Sequence, residues 1–163
     1  LCSKVLNDAW ERYAKEITDK GFQLIWQTGK GNLKPNEFQN TNIIKTEFLN
    51  NMPLVYSAAD VIVSRAGAIA ISELELANKP ILLVPFPFAA EDHQTKNALT
   101  LVNKNAAKMV KDSEMKDKFW TTLMEICENE NLRKEMSKNL SYFAKPYATK
   151  EIVDKILEET RGE

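Results

Sequence analysis

Two short stretches carry side chains whose types and spacing suit chemistry. The first is SRAGAIAISE, Ser64 to Glu73, which follows the apolar run ADVIV and leads into a helical pattern closed by ANKP. A turn on Gly67 between Ala66 and Ala68 spares the backbone a Cβ and keeps large side chains away from the first helical amides, around Ala68, Ile69 and Ala70. Amides at the positive end of a helix suit a phosphate. Glu73 lies four residues past Ile69 on the same face. Helical side chains lean toward the N-terminus, so its carboxylate is expected to reach back over that phosphate site and to accept hydrogen bonds from a vicinal diol such as a ribose. The local chemistry is that of a sugar nucleotide. The plainer alternative is a routine glycine turn in an α/β domain with a glutamate favoured by the helix dipole alone.

The second stretch, AAEDHQTKNA, follows LLVPFP and crowds Glu91, Asp92, His93, Gln94, Lys96 and Asn97 into one loop and helix start. Each has an ordinary reading too: Asp92 as a helix N-cap, Lys96 as a solvated charge, and the chain's one histidine as a surface residue. An anion nest at one strand end beside neutral hydrogen-bonding groups at the next is nonetheless what a phosphate-linked sugar requires. His93 with Glu91 and Asp92 makes a poor cation site, because three adjacent residues rarely converge on one ion. No metal and no cofactor is expected.

These residues need a frame that brings two strand ends together. Val5, Ala9, Tyr13 and Ile17 recur every four residues beside Leu6 and Trp10, which predicts an amphipathic helix stopped at Gly21. FQLIWQTG is expected as a buried strand, GKGNLKPNEFQNTN as a loop, IIKTEFL as a second strand and NNMPLVYSAAD as a turn and short helix. VIVSR is a third strand and ISELELAN a helix, with Asn78 suited to a left-handed C-cap and Pro80 preventing continuation. ILLVPF, continuously apolar, predicts a fourth strand covered on both faces. EDHQTKNALTLVNKN reads as a helix and AAKMVK as a weaker fifth strand. After Asp112 the period is wholly helical: Phe119, Leu123 and Ile126, then Leu132, Met136, Leu140 and Phe143, then, past Pro146, Ile152, Val153, Ile156 and Leu157. Strands alternating with helices imply a Rossmann-like α/β fold, a parallel sheet with helices on both faces. Ligands then sit beyond the carboxyl ends of the strands.

Composition narrows the partners. The 163 residues make one ordinary domain, and 44% hydrophobic and 28% charged content with a formal net charge of −1 gives no bias toward nucleic acid or a bare anionic membrane. Cys2 and Cys127 lack CxxC spacing, which favours reduced thiols and a cytosolic setting. PILLVPFPFAA is about half the roughly 20 residues that cross a bilayer, so any membrane contact is expected to be peripheral. GKGNLK lacks the third glycine of a dinucleotide fingerprint, and no GxxxxGK[ST] is present.

WQTGKG, EFLNNMPLVYSAADVIVSRAGAIAISELELANKPILLVPFPFAAEDHQTKNA and AKPYATKEIVDKIL resemble the C-terminal half of the MurG family, glycosyltransferase family 28, over essentially the whole chain. LCSKVLN resembles the end of the family's Gly-rich turn, with Cys2 and Ser3 where Gly and Ala are usual. The resemblance implies one half of a GT-B glycosyltransferase: residues 1–163 as the UDP-sugar-binding domain, lacking its first strand and the start of the Gly-rich turn, with 113–163 as its helical C-terminal part. A sheet without that strand would leave unpaired backbone edges for another segment or chain to fill.

By the same resemblance Glu73 would bind the ribose hydroxyls, and the amides of Ile69 and Ala70 the donor phosphate. Leu49 would meet the uracil through its main chain with Met52 packing nearby, and His93 and Gln94 would hold the sugar hydroxyls. Asn97 would support that loop, and Arg65 would lend charge near the diphosphate. Ala70 stands where Thr is frequent in the family, and His93 where some members carry Gln.

The implied reaction is inverting transfer of N-acetylglucosamine from UDP-N-acetylglucosamine to the 4-hydroxyl of a lipid-linked muramyl-pentapeptide, at the cytoplasmic face of the bacterial inner membrane. The catalytic base is expected in the N-terminal domain, so this chain alone would bind donor without turnover, and no catalytic residue is assigned in it. The alternatives are a donor-binding subunit of another N-acetylglucosaminyltransferase, such as the dolichol-linked type, and a non-catalytic scaffold.

Overall fold

The computed structural model describes residues 3–33 and 42–144. Among these residues thirteen elements alternate much as the periodicity predicts. They are helix α1 (Lys4–Asp19), strands β1 (Leu24–Gln27) and β2 (Ile43–Thr46), α2 (Met52–Ala58), β3 (Ile62–Ser64), α3 (Ala68–Ala77), β4 (Ile81–Leu83), a 3-10 turn Ala90–Asp92, α4 (His93–Val102), β5 (Lys108–Met109), a second 3-10 turn Asp112–Glu114, α5 (Met115–Glu128) and α6 (Glu130–Leu140). The last helix expected after Pro146 lies outside the described residues.

Every strand pairing among the described residues is parallel. β1 pairs with β2 in the register Ile25 to Ile44, and β3, β4 and β5 form a second sheet in that order. β4 shows why a continuously apolar strand belongs at the centre. Ile81 and Leu83 join the cluster containing Leu74, Ala98 and Leu101, while Leu82 and Val84 join the one containing Trp10, Phe119 and Leu123. All four are fully buried, so successive side chains feed two opposite cores and no polar alternation is tolerated.

The first core rests on α1 and α5. Trp10 meets Phe119 edge-on at 5.4 Å, and Tyr13 stacks on Trp120 at 4.9 Å. Ser3 caps α1 by accepting from the Leu6 amide, and Gly21 at φ 88° carries the chain out of it. At the other end of β3–α3, Asn78 takes the left-handed C-cap conformation (φ 52°, ψ 42°) before Pro80, as the sequence predicts.

β1 departs from expectation. It is not buried throughout but alternates, with Leu24 and Trp26 under α1 and Ile25 and Gln27 exposed. Successive side chains of a strand point to opposite faces, and α1 covers the face that carries Leu24 and Trp26. Among the described residues no strand pairs with the edge of β1 away from β2, or with the edge of β3 away from β4. Between those edges runs a trench of about 810 Å³, lined by Trp10, Ile25, Val61, Val63, Leu123 and Cys127 among others. The Cys127 thiol in its wall is half-buried, and burial pushes its pKa up to about 11.

Candidate functional site

The carboxyl ends of β3 and β4 lie side by side, since Val84 N–H donates to Ser64 C=O at 2.8 Å and extends their pairing by one step. The two stretches singled out in the sequence are thereby brought together, and side chains of α4 hold the β3–α3 turn. Gln94 Oε1 accepts from the amides of both Ala66 (3.2 Å) and Phe86 (3.0 Å), and Asn97 Nδ2 donates to the Ala66 carbonyl (3.1 Å). Ala66 is fully buried, so both of its backbone groups must find partners. Two side chains one helical turn apart supply them. Asn97, expected to support the loop that carries His93 and Gln94, instead holds the β3–α3 turn, and the Gln94 carbonyl is committed to the same turn, leaving its Nε2 beside Gly67.

α3 begins at that turn with Gly67 as N-cap and no side-chain capping bond. The amides that open the helix are therefore not covered by a capping side chain, and Ile69 is 79% exposed at the mouth of the site. Gly67 itself has φ −66° and ψ 149°, a conformation open to any residue. A Cβ there would meet only Gln94 Nε2, at 3.9 Å. The expectation that glycine is needed for a tight turn is thus corrected: neither backbone strain nor packing demands it.

Glu73 projects from the exposed face of α3, and its Oε2 accepts from the Tyr56 hydroxyl of α2 at 3.2 Å. Burial, and then the carboxylate beside it, push the Tyr56 phenol up to about 12. Leu49 precedes α2, and its amide donates to Gln27 Oε1 at 2.9 Å, tying the end of β1 to the loop expected to meet the base. Asn51 Oδ1 caps α2 by accepting from Leu54 N–H, and half-buried Met52 begins the helix against the trench.

Arg65 does not point a free charge at the mouth. Its Nη1 donates to the carbonyls of Val84 (3.1 Å) and Pro85 (3.0 Å) and to the Asp112 carboxylate, and the guanidinium lies 5.5 Å from the Phe86 ring. Both members of the ion pair are less than one-fifth exposed. The charge expected near a diphosphate is thus paired, and the residue clamps together the loops after β3, β4 and β5.

His93 stands at the start of α4, 60% exposed, with its Nε2 3.7 Å from a Glu91 carboxylate oxygen. Asp92 occupies the N-cap position in the left-handed region (φ 56°) and caps no amide, which corrects its reading as a capping residue. Among the described residues no group of three or more His, Cys, Asp or Glu side chains is placed to hold a metal ion. No helix among them is long and apolar enough to cross a membrane.

Tyr56, Gln27 and Asp112 were not among the residues singled out by sequence reasoning. Tyr56 alone had a signal: a tyrosine on an apolar helix face needs a partner for its hydroxyl.

Residues 2–152 match the family described as Glycosyltransferase family 28 C-terminal domain. The chain belongs to glycosyltransferase family 28. Its family 28 relatives include the UDP-N-acetylglucosamine--N-acetylmuramyl-(pentapeptide) pyrophosphoryl-undecaprenol N-acetylglucosamine transferase of Cytophaga hutchinsonii, 44% identical over 97% of this chain and 43% of that protein. The enzyme of the same name from Bacteroides fragilis is 45% identical over 76% of this chain and 34% of that protein. The crystal structure of Acinetobacter baumannii MurG superposes with a TM-score of 0.82 at 30% identity, over 97% of this chain and 47% of that one. The chain thus spans less than half the length of the relatives it matches and corresponds to the family's C-terminal domain. The glycotransferase of kitacinnamycin, with a TM-score of 0.68 at 18% identity, shares the fold.

Proposed function

We propose that this chain is the donor-binding domain of an inverting N-acetylglucosaminyltransferase that uses UDP-N-acetylglucosamine and a lipid-linked N-acetylmuramyl-pentapeptide acceptor at the cytoplasmic membrane surface. The observation that carries the reading is the pairing, at one sheet edge, of an uncapped helix N-terminus with an oriented carboxylate. The names of the family 28 relatives support the choice of nucleotide sugar.

In this reading the diphosphate lies against the amides of Ile69 and Ala70, and the Glu73 carboxylate accepts from the ribose 2′- and 3′-hydroxyls. Leu49 and Met52 flank the uracil. The Leu49 amide is held by Gln27, so its carbonyl is the main-chain group left to accept from the base. His93 and the Gln94 amide group serve the sugar hydroxyls. When the acceptor's 4-hydroxyl attacks the anomeric carbon, the bond to the diphosphate breaks with inversion and UDP leaves carrying the negative charge. The α3 amides and helix dipole stabilise that charge from a fixed geometry. Arg65, neutralised by Asp112, keeps the loops in register rather than neutralising the leaving group. His93 is exposed and faces Glu91 on the donor side, so deprotonation of the acceptor is assigned to a group of the N-terminal domain that completes the enzyme.

The test is calorimetric titration of the chain with UDP-N-acetylglucosamine and with UDP-glucose. Preference for the first, with no transfer to acceptor by this chain alone, is the expected result. Equal affinity for both sugars would refute the assigned donor, and transfer by the chain alone would refute the division of labour.

A further inference from the structure

Glu73 lies on the solvent face of α3, and a free glutamate gives up rotamer entropy when a ligand immobilises it. Tyr56 removes much of that cost in advance. Its ring, carried by α2, packs against the buried cluster that contains Ile71, Leu74, Ile81 and Leu83, which leaves the hydroxyl at the tip of a rigid post. That hydroxyl donates to Glu73 Oε2 at 3.2 Å. We infer that Tyr56 is a positioning residue for nucleoside recognition, pinning one oxygen of Glu73 so that the other faces the vicinal diol of the ribose. The inference rests on the proposed uridine-nucleotide site.

The chemistry of the partner matters. A lysine or arginine in this place would neutralise the carboxylate and compete with the diol for its lone pairs. A phenol donates one hydrogen bond and leaves the full negative charge. With its pKa pushed up to about 12 by burial, the Tyr56 hydroxyl keeps its proton at any working pH. The contact joins residues 17 positions apart on two helices, so it also ties the loop before α2, which carries Leu49, to the helix that carries the phosphate-facing amides.

The experiment titrates wild type and Tyr56→Phe with UDP and with 2′,3′-dideoxy-UDP. The substitution is expected to weaken UDP binding about 3- to 10-fold, as for one hydrogen bond to a charged group at a half-exposed site, and to leave the dideoxy ligand within about twofold. In a Glu73→Gln background, which tests the pair without relying on one variant, it should change UDP affinity by less than about twofold. Unchanged UDP affinity in Tyr56→Phe, or equal weakening of both ligands, would overturn the inference. Failure of wild type to bind UDP at all would instead overturn the nucleotide site on which it rests.

Discussion

Gly67→Ala separates a glycine kept for folding from one kept for a ligand. With φ −66° and ψ 149° the position accepts alanine without strain, and the new methyl would meet only Gln94 Nε2, at 3.9 Å. Reduced freedom of the unfolded chain contributes about 0.4–1 kcal/mol in favour of the variant. Against it, alanine is a worse N-cap than glycine by about 0.5–1 kcal/mol. The two nearly cancel, which leaves a net change within about 0.5 kcal/mol and a Tm shift of no more than roughly 2 °C for a chain of this size. Binding has no such cancellation. In the proposed site the methyl would stand where the phosphate approaches the α3 amides, and loss of one hydrogen bond to a charged group, worth about 1.5–3 kcal/mol, predicts UDP affinity lower by about 10- to 150-fold. Thermal unfolding and calorimetry on one preparation read both quantities. A Tm lower by more than about 5 °C would show that the glycine is structural, and unchanged UDP affinity would refute the placement of the phosphate.

Two further outcomes concern the frame. Asp112→Ala leaves the Arg65 guanidinium largely buried without its counter-charge, and because about one-fifth of each side chain stays exposed the expected loss is about 2 kcal/mol rather than the full penalty of a buried pair. A urea midpoint corresponding to less than about 0.5 kcal/mol would contradict the clamp. Cys127, whose thiol is raised to about 11 by burial, should react slowly with an aromatic disulfide reagent at pH 8 until urea unfolds the chain. The folded state keeps a proton that the unfolded thiol loses near pH 8.5. This contribution to stability is therefore complete below about 8.5 and is lost as pH rises toward 11, so the urea midpoint should be lower at pH 9.5 than at 7.5.

The frame was legible where periodicity and stop signals agree. ILLV, short, apolar and preceded by a proline, reads as a strand covered on both faces, and Asn78 with Pro80 reads as a helix end, and both elements form there. The two carboxyl-edge segments were legible as neighbours from topology alone. What could not be read is which polar atom meets which. Gln94 looks like a ligand-facing group in the sequence and Asn97 like a support for its own loop, yet each reaches back about 30 positions to the buried backbone of Ala66. Arg65 finds Asp112 across 47 positions, and Glu73 finds Tyr56 across a helix pair. Such pairings depend on rotamers and on burial of the backbone, neither of which leaves a periodic trace. β1 misled for another reason. Its composition is that of a buried strand, but α1 covers only the face that carries Leu24 and Trp26, and Ile25 and Gln27 on the opposite face stay exposed.

The most direct test is titration of UDP into wild type and Glu73→Ala, each first shown to be folded by thermal unfolding. Wild type should bind, and the substitution should weaken binding at least tenfold, since the ribose loses hydrogen bonds to a charged acceptor. Equal affinity in the two proteins would contradict the account, because the carboxylate on α3 would then have no part in holding the nucleotide.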